Sequence, residues 1–153
     1  MIDKNIIEQL VREYIANGPV FLVEVKISST GRITILADRN EGITIDECAA
    51  ISRFVEGRLN RDVEDFELMV SSPGLDMPFR VIEQFYKNEG KNVEVLDKSG
   101  KKFRGILRNV NKGGFELLSR TKSAGDKRIT SSVPTELSFN FDEVKSVREF
   151  VTF

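Results

Sequence analysis

Between the stretch VSSPGLDMPF, residues 70–79, and Gly90, the hydrophobic rhythm of this 153-residue chain changes. Upstream, apolar residues recur at helical spacing in some segments and alternate in others. Downstream they come only in short alternating runs. One repeating architecture does not accommodate both rhythms, so the change predicts two modules. The first is an α+β domain over residues 1–88, in which 71–88 form an interdomain loop and a short helix. The second is a β domain over 89–153.

In the first half, Ile2, Ile6, Ile7, Leu10, Val11, Tyr14 and Ile15 recur at helical spacing, and Asn17-Gly18-Pro19 ends that helix. VFLVEVKIS alternates as a half-buried strand, SSTGR turns the chain, and ITILAD returns as its antiparallel partner. TIDECAAISRFVEGRLN is a second helix. Thr44 with Glu47 three residues on forms a capping-box pattern, and Ile45, Cys48, Ser52, Val55 and Leu59 line one face. Cys48 reads as a small core residue. FELMVS is a third strand, with Phe66, Leu68 and Val70 on one side. The order αββαβ, each strand having one apolar face, predicts a two-layer α/β sandwich with its helices on one side.

KNVEVL, KKFRGILRNV, GFELLS, TELSFN and VKSVREFV are five short strands in the second half. Gly105 lies between Phe103 and Leu107 and permits a sharp bend within its strand. The pattern predicts a small five-stranded β-barrel of the SH3-like or Sm-like kind. RTKSAGDKRITSS, 120–132, is polar and poor in anchors, and a mobile loop is expected there.

The chain has no histidine, and Cys48 is its only cysteine. An intramolecular disulfide, a cysteine–histidine zinc site and every histidine-dependent triad are thereby excluded. Ser71 and Ser72 follow a strand, as a nucleophile would, but the Gly-x-Ser-x-Gly pattern is missing. A hydrolase would need a serine–lysine pair or carboxylates instead. Turn chemistry accounts for the same residues. Pro73 and Gly74 suit the two central positions of a type II turn. Pro78 suits the first turn of a following helix, with Met77 as its N-cap, and Leu75 is the residue expected to fasten the turn onto a core. Asp62, Glu64, Asp65 and Glu67 read as a solvated acidic loop rather than a Mg²⁺ site. No phosphate-cradling glycine motif occurs, and the expectation is a protein that is not an enzyme and has neither a cofactor nor a small-molecule substrate. No apolar run approaches the roughly 20 residues that span a bilayer, and MIDKNIIEQL reads as the start of an amphipathic helix rather than a signal peptide. A cytoplasmic, monomeric protein with no membrane partner is expected.

Charge separates the halves as hydrophobicity does. Residues 1–88 hold 10 Lys and Arg against 15 Asp and Glu, a net of −5, and residues 89–153 hold 13 against 9, a net of +4. Residues 97–128 alone carry 10 basic and 3 acidic side chains. The basic set Lys98, Lys101, Lys102, Arg104, Arg108, Lys112, Arg120, Lys122, Lys127 and Arg128 is the candidate RNA-binding face, because phosphate contacts need clustered cations. Phe103 and Phe115 are assigned to the core, so this face would read backbone and shape rather than base sequence. The α-β-β-α order is distantly like a KH module, but the Gly-x-x-Gly clamp of that module is missing.

EGITIDECAAISRFVEGRLN, FELMVSSPGLDMPF, GKNVEVL and KKFRGIL together resemble one family over nearly the whole length, the bacterial ribosome maturation factor RimP. Its central motif is a strand followed by Ser-Ser-Pro-Gly-Leu-Asp-Arg-Pro-Leu. Ser71, Ser72, Pro73, Gly74, Leu75, Asp76 and Pro78 match it, while Met77 replaces the arginine and Phe79 the final leucine. The resemblance implies a non-enzymatic factor that binds the immature small (30S) ribosomal subunit and promotes its maturation. The implied partners are small-subunit ribosomal RNA and a small-subunit ribosomal protein, the one numbered twelve. Residues 71–76 become a candidate partner-binding or interdomain motif. A general RNA-binding module or chaperone with no tie to the ribosome is the alternative.

Overall fold

A computed structural model describes residues 2–60, 65–119 and 135–150. Asp62, Glu64, Arg120, Lys122, Lys127, Arg128 and the loop expected over 120–132 lie outside those residues. The chain is α+β and divides into two compact units, Met1–Pro73 and Gly74–Phe153. The expected boundary at 88/89 falls inside the second unit, because Phe79, Ile82 and Phe85 join that unit's core.

The first unit comprises α1 (Lys4–Ile15), β1 (Phe21–Ile27), β2 (Arg32–Asp38), α2 (Ile45–Arg58) and β3 (Glu67–Ser71). β2 is central, antiparallel to β1 with Val25 opposite Ile35, and parallel to β3 with Ile35 opposite Val70. Its inward side chains, Ile33, Ile35 and Ala37, are fully buried under Ile7 and Val11 of α1 and Ile51 and Val55 of α2. Burying a side chain of this size contributes about 1.5–3 kcal/mol. The helices start where local chemistry dictates. The Asp3 carboxylate accepts the Asn5 N–H at 2.9 Å, and Thr44 and Glu47 form both bonds of the expected capping box, at 3.1 and 3.0 Å. The buried stripes are narrower than the sequence implies. Ile6 and Tyr14 of α1 stay exposed, and so does Ile45. The working face of α2 is the Ile51–Val55 pair one turn apart, with Cys48 only half buried. That burial raises the Cys48 thiol pKa, and the carboxylates of Glu47 and Asp38 add to the effect.

The second unit comprises α3 (Ile82–Lys87), β4 (Asn92–Asp97), β5 (Lys102–Asn111), β6 (Gly114–Ser119), β7 (Thr135–Asn140), a single 3-10 turn at Phe141–Glu143, and β8 (Val144–Glu149). The five strands are antiparallel in the order β7-β6-β5-β4-β8. The expected barrel is not closed: among the described residues no ladder joins β7 to β8. Instead the Val147 carbonyl of β8 accepts the Phe79 N–H at 2.7 Å, so the segment before α3 takes up this edge.

The open sheet is nevertheless strongly curled. At one end of the 3-10 turn, Phe141 N donates to Gly113 O at 3.1 Å; at the other, Glu143 O accepts from Lys98 N at 3.1 Å. Three 3-10 residues plus two hydrogen bonds reach on the order of 15 Å. The ten residues of β5, which separate the same two places along the sheet, would reach about 30 Å if straight. β5 therefore bends, aided by a register shift between Arg108 and Asn111, with Asn109 at φ +51°. Two glycines allow neighbouring strands to approach: a Cβ on Gly105 would strike the Leu118 carbonyl, and one on Gly114 the Phe139 carbonyl. Both obstacles are backbone, which yields poorly.

Gly105→Ala or Gly114→Ala should each lose about 1–3 kcal/mol in urea unfolding. Gly57→Ala, in open space on α2, should instead gain about 0.5–1 kcal/mol. Equal effects at the three sites would contradict the strand-crowding account.

Candidate nucleic-acid interface

Alternation along β5 puts Lys102, Arg104 and Arg108 on the side opposite Phe103 and Leu107, which join the core. The two arginines are engaged there. Arg104 Nε lies 2.9 Å from Glu94 Oε2 on β4, the register partner, and its guanidinium sits 4.2 Å from the centre of the Phe150 ring. Arg108 Nη1 is 3.8 Å from Glu136 Oε1 on β7. Exposed pairs of this kind add little stability, yet they neutralise cations that an anionic partner would otherwise meet.

The lysines lie in tight turns. In the β4–β5 turn, Asp97 Oδ1 accepts from Ser99 N at 3.0 Å, Ser99 Oγ at 2.7 Å and Lys101 N at 2.9 Å, while Gly100 takes φ +94°. Lys98 and Lys101 are thereby held outward and exposed. Lys112 occupies the β5–β6 turn, where Asn111 Oδ1 accepts from Gly113 N at 2.8 Å and Gly114 N at 3.1 Å. Among the described residues, Lys98, Lys101, Lys102 and Lys112 have no ion-pair partner. Sequence reasoning missed Lys145. A register shift in the β4–β8 ladder leaves Lys145 out of the pairing beside Asp97, exposed. In the linear sequence it lies away from the basic cluster, and only strand pairing brings it alongside.

The 71–76 motif straddles the division between the units, and each side follows different chemistry. Ser71 ends β3, its backbone opposite Leu36, and its hydroxyl donates to Ser72 O at 3.3 Å. Among the described residues no base is hydrogen-bonded to that hydroxyl. The expected type II turn at Pro73-Gly74 does not form, since Gly74 is not among the positive-φ glycines. The turn lies two residues further on, with Met77 N donating to Gly74 O at 3.1 Å and Leu75 and Asp76 at its centre. Arg148 Nη1 reaches Asp76 O at 3.3 Å and braces it. Leu75 is 66% exposed rather than fastened to a core; Phe79 is the anchor, 5.1 Å from Phe85 between ring centres. Pro78 and Met77 do not open a helix. α3 starts at Ile82 with Val81 as N-cap, and the buried Gln84 side chain accepts the N–H groups of Arg80 and Val81. The spending of the Phe79 N–H on β8 keeps this segment extended.

Elsewhere in the first unit, Tyr14, Ile15, Val20, Ala50 and Ile51 line a cavity of about 320 Å³. Its one carboxylate, Glu47, already accepts from Thr44 N and lies 2.9 Å from Arg39. Glu67, expected in the acidic loop, instead begins β3 and lies 3.2 Å from Arg32, its register partner on β2.

Hydrogen bonding from Ser99, then from the Lys101 amide, lowers the Asp97 carboxyl below its ordinary pKa of 3.8. A depressed folded-state pKa stabilises the turn above the unfolded value, and this contribution disappears as pH falls through the folded value. Asp97→Asn should therefore speed amide exchange at Ser99 and Lys101 near neutral pH and flatten the loss of turn protection below about pH 4. Unaltered exchange at both amides would refute this role.

With this geometry in place, comparison with known proteins is informative. The family profile of the RimP N-terminal domain matches residues 10–76. A protein of Porphyromonas gingivalis strain W83, named ribosome maturation factor RimP, is 38% identical over 130 residues, covering 84% of this chain and 86% of its own. A protein of the same name from Christiangramia forsetii is 29% identical over 140 residues and 90% of each chain. Relatedness at this level extends across both units, and the chain belongs to the RimP family of ribosome maturation factors.

Proposed function

We propose that this chain binds the immature small ribosomal subunit and promotes its maturation without covalent chemistry. The observation that carries this reading is its similarity, over 84% of its length, to a protein named ribosome maturation factor. A binding role fits the side chains on hand: the chain has no histidine, and among the described residues Ser71 has no hydrogen-bonded base. The exposed lysines of the second unit favour ribosomal RNA as one partner. The net −5 of residues 1–88 suits a basic small-subunit ribosomal protein as another, and residues 71–76, with exposed Leu75 at the turn, are the candidate contact. The factor acts in the cytoplasm as a monomer, and requires neither cofactor nor small-molecule substrate.

Sedimentation through sucrose gradients tests the proposal. The protein should travel with immature small subunits, less with mature ones and not with large subunits, and its binding should weaken steeply between 50 and 200 mM salt. Equal binding to unrelated structured RNAs would replace it with a general RNA-binding role. Ester or amide hydrolysis lost in Ser71→Ala or Ser72→Ala, with folding intact, would replace it with an enzyme.

A further inference from the structure

We infer that the RNA-phosphate contact of this protein lies on the rim of the second unit, at Lys98, Lys101, Lys112 and Lys145, and not on the β5 sheet face; the inference rests on the RNA-binding reading above. The rim exists because of the curl in the sheet. Lys98 and Lys101 sit in the β4–β5 turn and Lys112 in the β5–β6 turn, at opposite ends of β5. The Phe141–Glu143 turn hydrogen-bonds to both places, through Gly113 O and Lys98 N. This brings the two lysine-bearing turns to within on the order of 15 Å of each other. Lys145 adds a fourth cation next to Asp97, at the residue left out of the β4–β8 ladder. All four are exposed, and among the described residues none is ion-paired. The Asp97 carboxylate stays ionised on this rim, its Oδ1 accepting three hydrogen bonds within the turn.

The sheet face offers less, since of its three β5 cations only Lys102 is without an ion-pair partner among the described residues. Arg104 is held between Glu94 and Phe150, and Arg108 faces Glu136. Their guanidinium groups are tied to carboxylates on β4 and β7, which an anionic ligand would first have to displace. On the rim, lysine ammonium groups on long stems act as mobile point charges, which suits phosphate oxygens rather than planar bidentate recognition. The nearby rings Phe103, Phe139 and Phe141 belong to the core, leaving no platform on which bases stack. The ligand is therefore the sugar–phosphate backbone of folded or duplex RNA, bound without base readout. Two carboxylates of the 3-10 turn, Asp142 and Glu143, share the rim and oppose binding. Glu143 accepts from Asn140 N at 3.3 Å, whereas Asp142 has no such role.

These charges give a test with opposite signs. Binding of the full chain to a fluorescent 20-base-pair RNA duplex is measured against salt, alongside sedimentation with immature small subunits. Joint Lys→Gln substitution at 98, 101, 112 and 145 should weaken duplex binding by roughly tenfold or more at 0.1 M salt. The slope of log affinity against log salt should fall by about 3. Asp142→Asn should strengthen binding about twofold. Arg104→Gln with Arg108→Gln should change affinity by no more than about threefold. Circular dichroism and amide spectra confirm folding of each variant. A lysine variant that binds duplex and subunits as the wild type does would overturn the rim while leaving the proposed function intact. Large losses confined to the arginine variant would move the site to the sheet face. A wild-type protein that binds neither RNA nor subunits would overturn both.

Discussion

Six phenylalanine rings hold the second unit in its shape. Phe85 on α3 meets Phe79 at 5.1 Å, Phe141 at 5.1 Å and Phe115 at 5.6 Å between ring centres; Phe139 then links Phe115, at 5.4 Å, to Phe103, at 5.3 Å. Edge-on and offset aromatic pairs are each worth about 0.5–1.5 kcal/mol beyond the area they bury. These rings come from places far apart in sequence: the end of the Ser-Ser-Pro-Gly motif, α3, three strands and the 3-10 turn. Through Phe79 and Phe85 the cluster assigns residues 74–88 to the second unit. Through Phe141 it pins the 3-10 turn, and that turn draws the two ends of β5 together.

The arrangement separates two kinds of cation. The arginines of β5 have carboxylate partners on other strands, Glu94 on the adjacent β4 and Glu136 on β7 beyond β6, and Arg104 also has an aromatic face. The lysines sit in turns whose backbones are tied by Asp97 and Asn111. A fold that closed its barrel between β7 and β8 would have no need of Phe79 at the β8 edge. Here the Phe79 N–H is bonded to one carbonyl of that edge, at Val147.

Much of the first unit was legible in the sequence because its signals are local. Thr44 and Glu47 satisfy each other's backbone within one turn, and alternation in 21–27 and 32–38 reports which side of each strand is apolar. The same signals overstate burial. Ile6, Tyr14 and Ile45 fit a helical period yet remain exposed, because periodicity shows which residues share a face but not how much of it is covered. The candidate site was half legible. Composition singled out residues 97–128, but nothing along the chain separates the paired Arg104 from Lys101, which has no ion-pair partner among the described residues. Lys145 was invisible for the same reason.

By itself, then, the sequence determined the α+β class, the order of elements, the helix caps and the exclusion of histidine chemistry, since each follows from residue identity or from spacing within a few positions. Tertiary structure alone decided four things: where the units divide, that the sheet stays open, that the motif turns at Leu75-Asp76, and which cations are spoken for. All four depend on contacts between residues far apart in the chain, such as Phe79 with Val147 and Phe141 with Gly113. Spacing carries no information about such contacts, because a hydrogen bond or a ring contact is set by distance in space and not by distance along the backbone.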